Sequence, residues 1–480
     1  MRPLIITSGG APANVIGIYR DEIRRISNCI LLDTSLNDVK SIGPISKNNP
    51  GYMLMNEGLD DKVFLEHTGI AIGCSVLSND NGTQENTEGR RGMGRQKEDF
   101  ILAFALDDTL GISERIWTAI EYYKLRSDVD YILFIAGLGG GTGSGSINGI
   151  AGRYYQGKGS ERIESSKHFV LGILPSIKEN DRGENLNRLK FNTIWALYEL
   201  LRPIKRPNPL ILLDNEAMDR TNPRPTKPVM EMISMLTDWR PDKDGVDFFA
   251  KYGTKTMVPY YANIEKDNIF AINETDIDTA LANLSFDSKD INSENDSSGR
   301  WFYSIDQNDI NRVIESAKKK QSEINNIYVI TKGLPNSLRN SMKKKVANAL
   351  NVDEEKIGME IPLLDKPGKV EILILLFFNN PFDLNRIDSL FREVKELVEP
   401  NKSNFLENAF AHITNDDVRN VLNDFVKQMI DDLSVYSKDI VCMPKHIIRF
   451  YPNEKCFKVV PYVEADSASS QEIEFSSSVV

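Results

Sequence analysis

Ten residues from Ala136 read Ala-Gly-Leu-Gly-Gly-Gly-Thr-Gly-Ser-Gly, directly after a strand-like run (Tyr131–Ala136) and directly before a helical pattern. Glycine lets a backbone turn tightly and approach an anion closely, because no Cβ intervenes. Backbone N–H groups and the N-terminus of the following helix then offer a positive field to phosphate. Thr142 and Ser144 add hydroxyl donors. A P-loop would need Gly-Lys-Ser/Thr after four spacer residues, and no lysine stands in or just after this loop. A dinucleotide fingerprint needs glycines at i, i+2 and i+5. Gly137/Gly139 meets Thr142 at the third place, and Gly139/Gly141 meets Ser144. A flexible linker would not be set between a buried strand and a helix.

The run Gly139-Gly140-Gly141-Thr142-Gly143-Ser144-Gly145 is the tubulin/FtsZ signature loop as it stands, and the chain resembles that family. The resemblance implies an α/β fold with GTP or GDP bound at a lysine-free glycine loop. It implies Mg2+ held mainly through phosphates and water, with no metal site built from the protein alone. The implied organisation is a mostly parallel-sheet GTPase domain over 1–225, a central helix and co-catalytic loop over 226–257, and a second α+β domain over 258–383. A helical C-terminal extension over 384–463 and an acidic tail over 464–480 complete it.

Weaker matches follow in the family's order. Ser8-Gly9-Gly10-Ala11-Pro12-Ala13-Asn14 resembles the first glycine loop, with Gly9, Gly10 and Asn14 at the nucleotide; a plain strand-to-helix turn would look the same. Asp33 and Thr34 resemble the segment near phosphates and metal, although either residue also caps helices routinely. Glu88-Gly89-Arg90-Arg91-Gly92-Met93-Gly94-Arg95 occupies the place of the γ-phosphate-sensing loop, through Gly92 and Gly94, or is an exposed basic loop. Glu184 and Arg188 share a helix face at i, i+4, which fits ribose and phosphate contacts or an ordinary salt bridge worth ~0.2–0.5 kcal/mol. Asp214-Asn215-Glu216-Ala217-Met218 resembles the segment whose asparagine reads guanine, an amide being able to donate and accept on a purine edge. A polar turn after a strand would also use Asp-Asn. Asn222 is a second candidate base contact.

Asp244 and Asp247, three apart in Pro241-Asp242-Lys243-Asp244-Gly245-Val246-Asp247, share a face at a helix start. Carboxylates favour that place through capping and the helix dipole. The same Asp-x-x-Asp is similar to the family's co-catalytic loop, which completes the site of the next subunit. The resemblance therefore implies a head-to-tail homopolymer whose hydrolysis requires assembly. Gly89–Gly94, Leu32-Asp33-Thr34 and the acidic tail look most like the phage and plasmid tubulins, the PhuZ and TubZ group. That likeness implies dynamic, multi-stranded filaments positioning phage or plasmid DNA through an adaptor protein, in the cytoplasm of a bacterial host. The tail would contact the neighbouring subunit. The competing readings are a non-hydrolysing structural or adaptor relative and, less consistent with the glycine spacing, an NAD-dependent oxidoreductase of doubly wound fold.

The elements that must position these residues are legible in outline. At 480 residues the chain has room for two or three domains of ~100–200 residues. Ile5–Thr7, Cys29–Leu32, Tyr131–Ala136, Phe169–Leu174 and Leu210–Leu213 read as buried strands separated by amphipathic stretches, the pattern of a helix-covered parallel sheet. Residues 226–240 carry an apolar helical pattern. Val258–Ile264, Asn326–Thr331, Ile357–Leu364 and Val370–Phe378 read as strands, Ser337–Leu350 as a helix, 384–438 as a helical region, and the following piece as strand-forming. The polar stretches 70–99 and 286–300 read as a surface loop and an insertion. No apolar run approaches the ~20 residues of a membrane helix, and the first residues show no secretory signal. The four cysteines are scattered, which speaks against a disulfide framework or a zinc site. A net charge of −11 repels DNA and anionic membranes at long range. The local exceptions, Lys318–Lys320 and Lys343–Lys345, lie on helical patterns where a solvated face is the commoner reading.

Overall fold

The computed structural model describes residues 2–26, 28–33, 52–54, 97–102, 129–147, 168–177, 183–201, 209–218, 226–239, 255–268, 271–284, 299–306, 308–313, 326–360, 369–399, 404–435, 446–451 and 456–461, together with a few isolated positions. The strands are β1 (Arg2–Ser8), β2 (Asn28–Asp33), β3 (Tyr52–Leu54), β4 (Val129–Gly137), β5 (His168–Leu174), β6 (Leu210–Asp214), β7 (Thr256–Glu265), β8 (Arg300–Trp301), β9 (Ile327–Lys332), β10 (Ile357–Glu360), β11 (Lys369–Phe378), β12 (His446–Tyr451) and β13 (Cys456–Pro461). The helices used below are α1 (Gly10–Ile18), α2 (Arg20–Ile26), α3 (97–102), α4 (141–147), α5 (Glu184–Leu200), α6 (Thr226–Asp238), α7 (Glu274–Leu281), α8 (Arg339–Leu350), α9 (Asn385–Val398), α10 (Phe405–Phe410) and α11 (Asp416–Val435). Among these described helices none is long and apolar enough to cross a membrane.

The chain divides into two compact units. One comprises Met1–Pro3, His168–Ser176 and Arg206–Ser389. Its strands β5, β6 and β7 run parallel, β11 lies antiparallel to β7 over ten residue pairs, β9 is antiparallel to β11, and β10 is parallel to β9. All residues of β5 and β6 are buried, as expected of strands covered on both faces, and this is why they read as unbroken apolar runs. Against the sheet lies α6, which buries Val229, Met232, Ile233 and Leu236 at helical spacing. Trp239, just past its end, packs edge-on against Phe248 at 4.5 Å and beside Phe169 at 5.3 Å. The helix α8 is held to α7 by Lys345, which pairs with Asp278 and lies 3.9 Å from Glu274. One lysine of the 343–345 triplet thus serves a helix contact.

The other unit comprises Leu4–Lys167, Ile177–Lys205 and Leu390–Val480. Its strand order is β4-β1-β2-β3, with β1 parallel to β2 and β2 parallel to β3. The middle of β1 (Leu4-Ile5-Ile6) is at most 1% exposed. The C-terminal helices pack on α5 through rings: Phe191 meets Phe405 at 5.4 Å, and Trp195 meets Phe410 at 6.3 Å and Phe425 at 5.3 Å. Beyond them β12 and β13 form an antiparallel ribbon. Of the stretches read as a surface loop (70–99) and an insertion (286–300), 70–96 and 286–298 lie outside the described residues, as does the acidic tail. Lys97, Glu98 and Asp99 are instead buried on α3, where ion pairs offset their charge, and Arg300 opens β8.

Candidate nucleotide site

The loop that joins β4 to α4 is held from several sides. The Asn192 side chain on α5 donates to the Gly139 carbonyl at 3.1 Å. The Ser144 hydroxyl, fully buried, donates to the Gly140 carbonyl and, at 3.3 Å, to that of Gly141. The Ser144 carbonyl in turn accepts from Lys97 Nζ at 2.7 Å. That lysine, 0% exposed, also pairs with Glu199 at 2.5 Å and lies 5.3 Å over the Trp195 ring. Glu199 takes a further hydrogen bond from the Trp195 indole at 3.0 Å. A loop without its own lysine is therefore braced by one from α3, whose charge is matched by Glu199.

The two glycine turns of this unit meet backbone to backbone. Gly9 sits at φ +86°, a region costly for residues with a Cβ, and donates to the Leu32 carbonyl at 3.1 Å. A Cβ on Gly9 would stand 3.2 Å from the Gly143 nitrogen. A Cβ on Gly143 would stand 2.4 Å from the Gly137 oxygen and 3.1 Å from that of Ser8. The Ser8 and Ser146 hydroxyls are 2.5 Å apart and tie the turns together. Gly145 faces Phe100 of α3, whose ring atoms would be 2.7–2.8 Å from an added Cβ. At Gly140 an added Cβ would meet nothing within 4 Å. Gly143 and Gly145 are thus demanded by packing, whereas Gly140 borders open space.

The structure brings Gly9, Gly10, Asp33 and the run Gly139–Gly145 into this unit, with Asp33 (2% exposed) closing β2 and Thr142 8% exposed. Asn14 lies on α1, its side chain outside the described ones. Thr34, Gly92, Gly94, Asn222, Asp244 and Asp247 lie outside the described residues. Glu184 is exposed at the first position of α5. One turn on, Arg188 is buried: it donates to Glu98 at 2.6 Å and to the Ala409 carbonyl at 2.7 Å, and lies 5.7 Å over the Phe405 ring.

Beside Arg188 stands a group of residues that sequence spacing did not single out. His412 Nε2 is 2.8 Å from Asp99 Oδ1, and Glu98, Asp99 and His412 offer ligand atoms within 4.8 Å of one another. The spacing would admit a metal ion, but the Arg188 guanidinium already supplies positive charge to the buried carboxylates. Burial pushes Glu98 up to about 7 against the pull of Arg188. Burial likewise raises Asp99, opposed by its hydrogen bond to His412. For His412 burial acts downward, yet the hydrogen bond and charge of Asp99, with the charge of Glu98, carry it above its ordinary value.

In the other unit, taken by itself, β6 ends in Asp214 and Asn215 opens a one-turn helix (Asn215–Met218). Asp214 Oδ1 accepts from the Glu216 backbone at 3.0 Å, the cap that starts the turn. Arg386 stands between the flanking acids, its Nη2 donating to Glu216 at 2.8 Å. Its Nε lies 2.8 Å from Asp214 Oδ2, an ion contact without the alignment of a hydrogen bond. Asp214 is raised by burial, with Arg386 drawing it back.

No protein-family model matches the sequence, and no curated protein matches it. Solved structures do. A GTPγS-bound protofilament of CetZ2 from Haloferax volcanii superposes with a TM-score of 0.51 at 15% identity, over 84% of this chain and all of that one. CetZ from Methanosaeta thermophila strain DSM 6194 gives 0.53 at 13% identity, over 91% and 99%. A GTPγS-form protofilament of TubZ from Bacillus thuringiensis serovar israelensis gives 0.49 at 14% identity, over 84% and 93%. The chain has the tubulin/FtsZ fold, an α/β architecture whose mixed sheet is mostly parallel. Of these structures, the two above 0.5 are CetZ proteins, and the finer grouping with the phage and plasmid tubulins is not confirmed over CetZ.

Proposed function

We propose that this chain binds and hydrolyses GTP and assembles head to tail into filaments. The observation that carries the reading is the glycine pair Gly9/Gly143: two strand-to-helix turns packed backbone to backbone, one of them the seven-residue signature run. Packing excludes a Cβ at Gly143, a positive φ disfavours one at Gly9, and the open side at Gly140 is left for an anion. The fold is that of proteins seen as nucleotide-bound protofilaments.

In this reading the glycine loops bind the phosphates through backbone N–H groups and Asn215 reads the base. Asp33 and Thr34 would stand near a phosphate-bound Mg2+, which would neutralise charge there; the buried Asp33 carboxylate at the end of β2 suits that neighbourhood. Glu184, exposed at the start of α5, is free of the packing that engages Arg188. Asp244 or Asp247 of one subunit orients the attacking water in the site of the next, an effect typically worth ~10²–10⁴ in rate. Hydrolysis then needs two copies. The glycine-arginine loop and the acidic tail are what support a phage- or plasmid-type filament with DNA as cargo.

The test is phosphate release measured across protein concentration, with electron microscopy of the same samples. Turnover per molecule should rise steeply as filaments form, and Asp247→Ala should bind GTP, turn over slowly and leave longer-lived filaments. A per-molecule rate indifferent to concentration, or unchanged release by the variant, overturns the proposal.

A further inference from the structure

We infer that Arg386 sets the base selectivity of the site by holding Asn215 in register, as a positioning residue that acts through the two acids flanking it. The inference rests on the reading of Asn215 as the group that meets the base.

A side-chain amide discriminates between purines only if its donor and acceptor ends are fixed, because a freely turning amide presents either end to either base. The residues on both sides of Asn215 are held. On one side Asp214, fully buried, donates its backbone N–H to the Phe302 carbonyl at 2.8 Å, and its side chain takes the backbone N–H groups of Glu216 and Ser304. On the other side Glu216, 34% exposed, accepts from Arg386 Nη2 at 2.8 Å. Arg386 spans both, 2.8 Å from Asp214 and 2.8 Å from Glu216, so residues 214 and 216 are tied to one rigid guanidinium. A planar fork does this where a lysine ammonium, a single point charge, cannot hold two separated acids in a fixed plane.

Arg386 is itself fixed. It is the second residue of α9, and the helix start is pinned by two aspartates. Asn385 N–H donates to Asp309 Oδ1 at 2.8 Å, the Asn385 side chain reaches Asp306 at 2.9 Å, and Asp309 N–H closes onto Asp306 at 3.0 Å. The base-reading turn at the end of β6 is therefore held in place by a residue 170 positions later. This contact gives the segment after β11 a direct hold on nucleotide choice.

The experiment is calorimetric titration of the full chain with GTP, ITP and ATP, for the parent, Asn215→Ala, Arg386→Lys and Glu216→Gln. Nucleotides with the same triphosphate are compared, so a general loss of folded protein cancels in the ratio of affinities, whereas a loss of base reading does not. The parent should prefer GTP and Asn215→Ala should lose the preference. Arg386→Lys should lower the GTP-to-ATP and GTP-to-ITP ratios by roughly 10-fold, the order of one net hydrogen bond. Glu216→Gln keeps the Asp214 contact and should shift the ratios the same way by less, and it serves if Arg386→Lys does not fold. Ratios unchanged in both Arg386→Lys and Glu216→Gln, with the preference lost in Asn215→Ala, overturn the role of Arg386. No preference in the parent, or preference retained in Asn215→Ala, instead overturns the reading of Asn215 beneath it.

Discussion

Gly140 and Gly143 stand three residues apart in one loop and answer to different demands. A Cβ on Gly143 would lie 2.4 Å from a carbonyl oxygen and 3.0 Å from a backbone nitrogen, so Gly143→Ala must push main chain aside. Overpacking of this kind costs about 1–3 kcal/mol. At Gly140 the same methyl meets nothing within 4 Å. Gly140→Ala should therefore melt within about 0.5 kcal/mol of the parent, the usual range for a surface change. In thermal denaturation with and without GTP, Gly143→Ala should lose stability and ligand protection together. Gly140→Ala should lose protection alone; full protection by GTP would show that nucleotide does not approach that face. The loop was legible from sequence because glycine is demanded by backbone, and backbone demand leaves its mark within ten residues. Lys97 and Arg386 were not legible, because each finds its partners 47 to 172 positions away, where no spacing rule reaches.

One stripe of α5 organises much of its unit. Arg188, Asn192, Trp195 and Glu199 recur at intervals of four, three and four, so they share a face. That face delivers Arg188 to Glu98, Asn192 to the Gly139 carbonyl, Trp195 to the rings of α10 and α11, and Glu199 to Lys97. Sequence reading placed this helix and the pair Glu184/Arg188. It missed the partners because α3 and the 404–435 segment sit roughly 90 and 220 residues from Arg188 in the chain. Two consequences follow from the buried charges. Arg188→Met strands Glu98 without a counter-charge, a loss of about 3–5 kcal/mol for a broken buried pair, readable as a fall in chemical-denaturation midpoint. For pH, Glu98, Asp99 and His412 all have folded-state values above their ordinary ones, so the folded form holds protons more tightly than the unfolded chain. Their contribution is complete below the ordinary carboxylate range and declines as pH rises through about 7 for Glu98 and past the ordinary histidine range for His412. Melting temperature should fall from the ordinary carboxylate range to about pH 7 and on past the ordinary histidine range, and His412→Gln should flatten the upper part of that decline. A melting temperature that climbs across the same interval would remove the cluster from any account of stability.

At the scale of the whole molecule, net charge decides how copies approach one another. A chain carrying −11 repels its own copies, and added salt relieves the repulsion over a screening length of ~10 Å at 0.1 M. The segment from Glu464 to Val480 holds four acids and no base, and lies outside the described residues. If it docks on a basic groove of the neighbouring subunit, salt acts in the opposite sense and weakens assembly. Truncation before Glu464 separates the two. Sedimentation in a slowly hydrolysed GTP analogue, between about 0.05 and 0.3 M salt, should show the full chain assembling less as salt rises and the truncated chain, still net negative, assembling somewhat more. A tail that is only a solvated brush gives the reverse: the truncated chain assembles better at low salt, because four negative charges per copy are gone, and the two forms converge as screening sets in. The sign of that difference at the lowest salt decides whether the tail belongs to the filament contact or only to its surroundings.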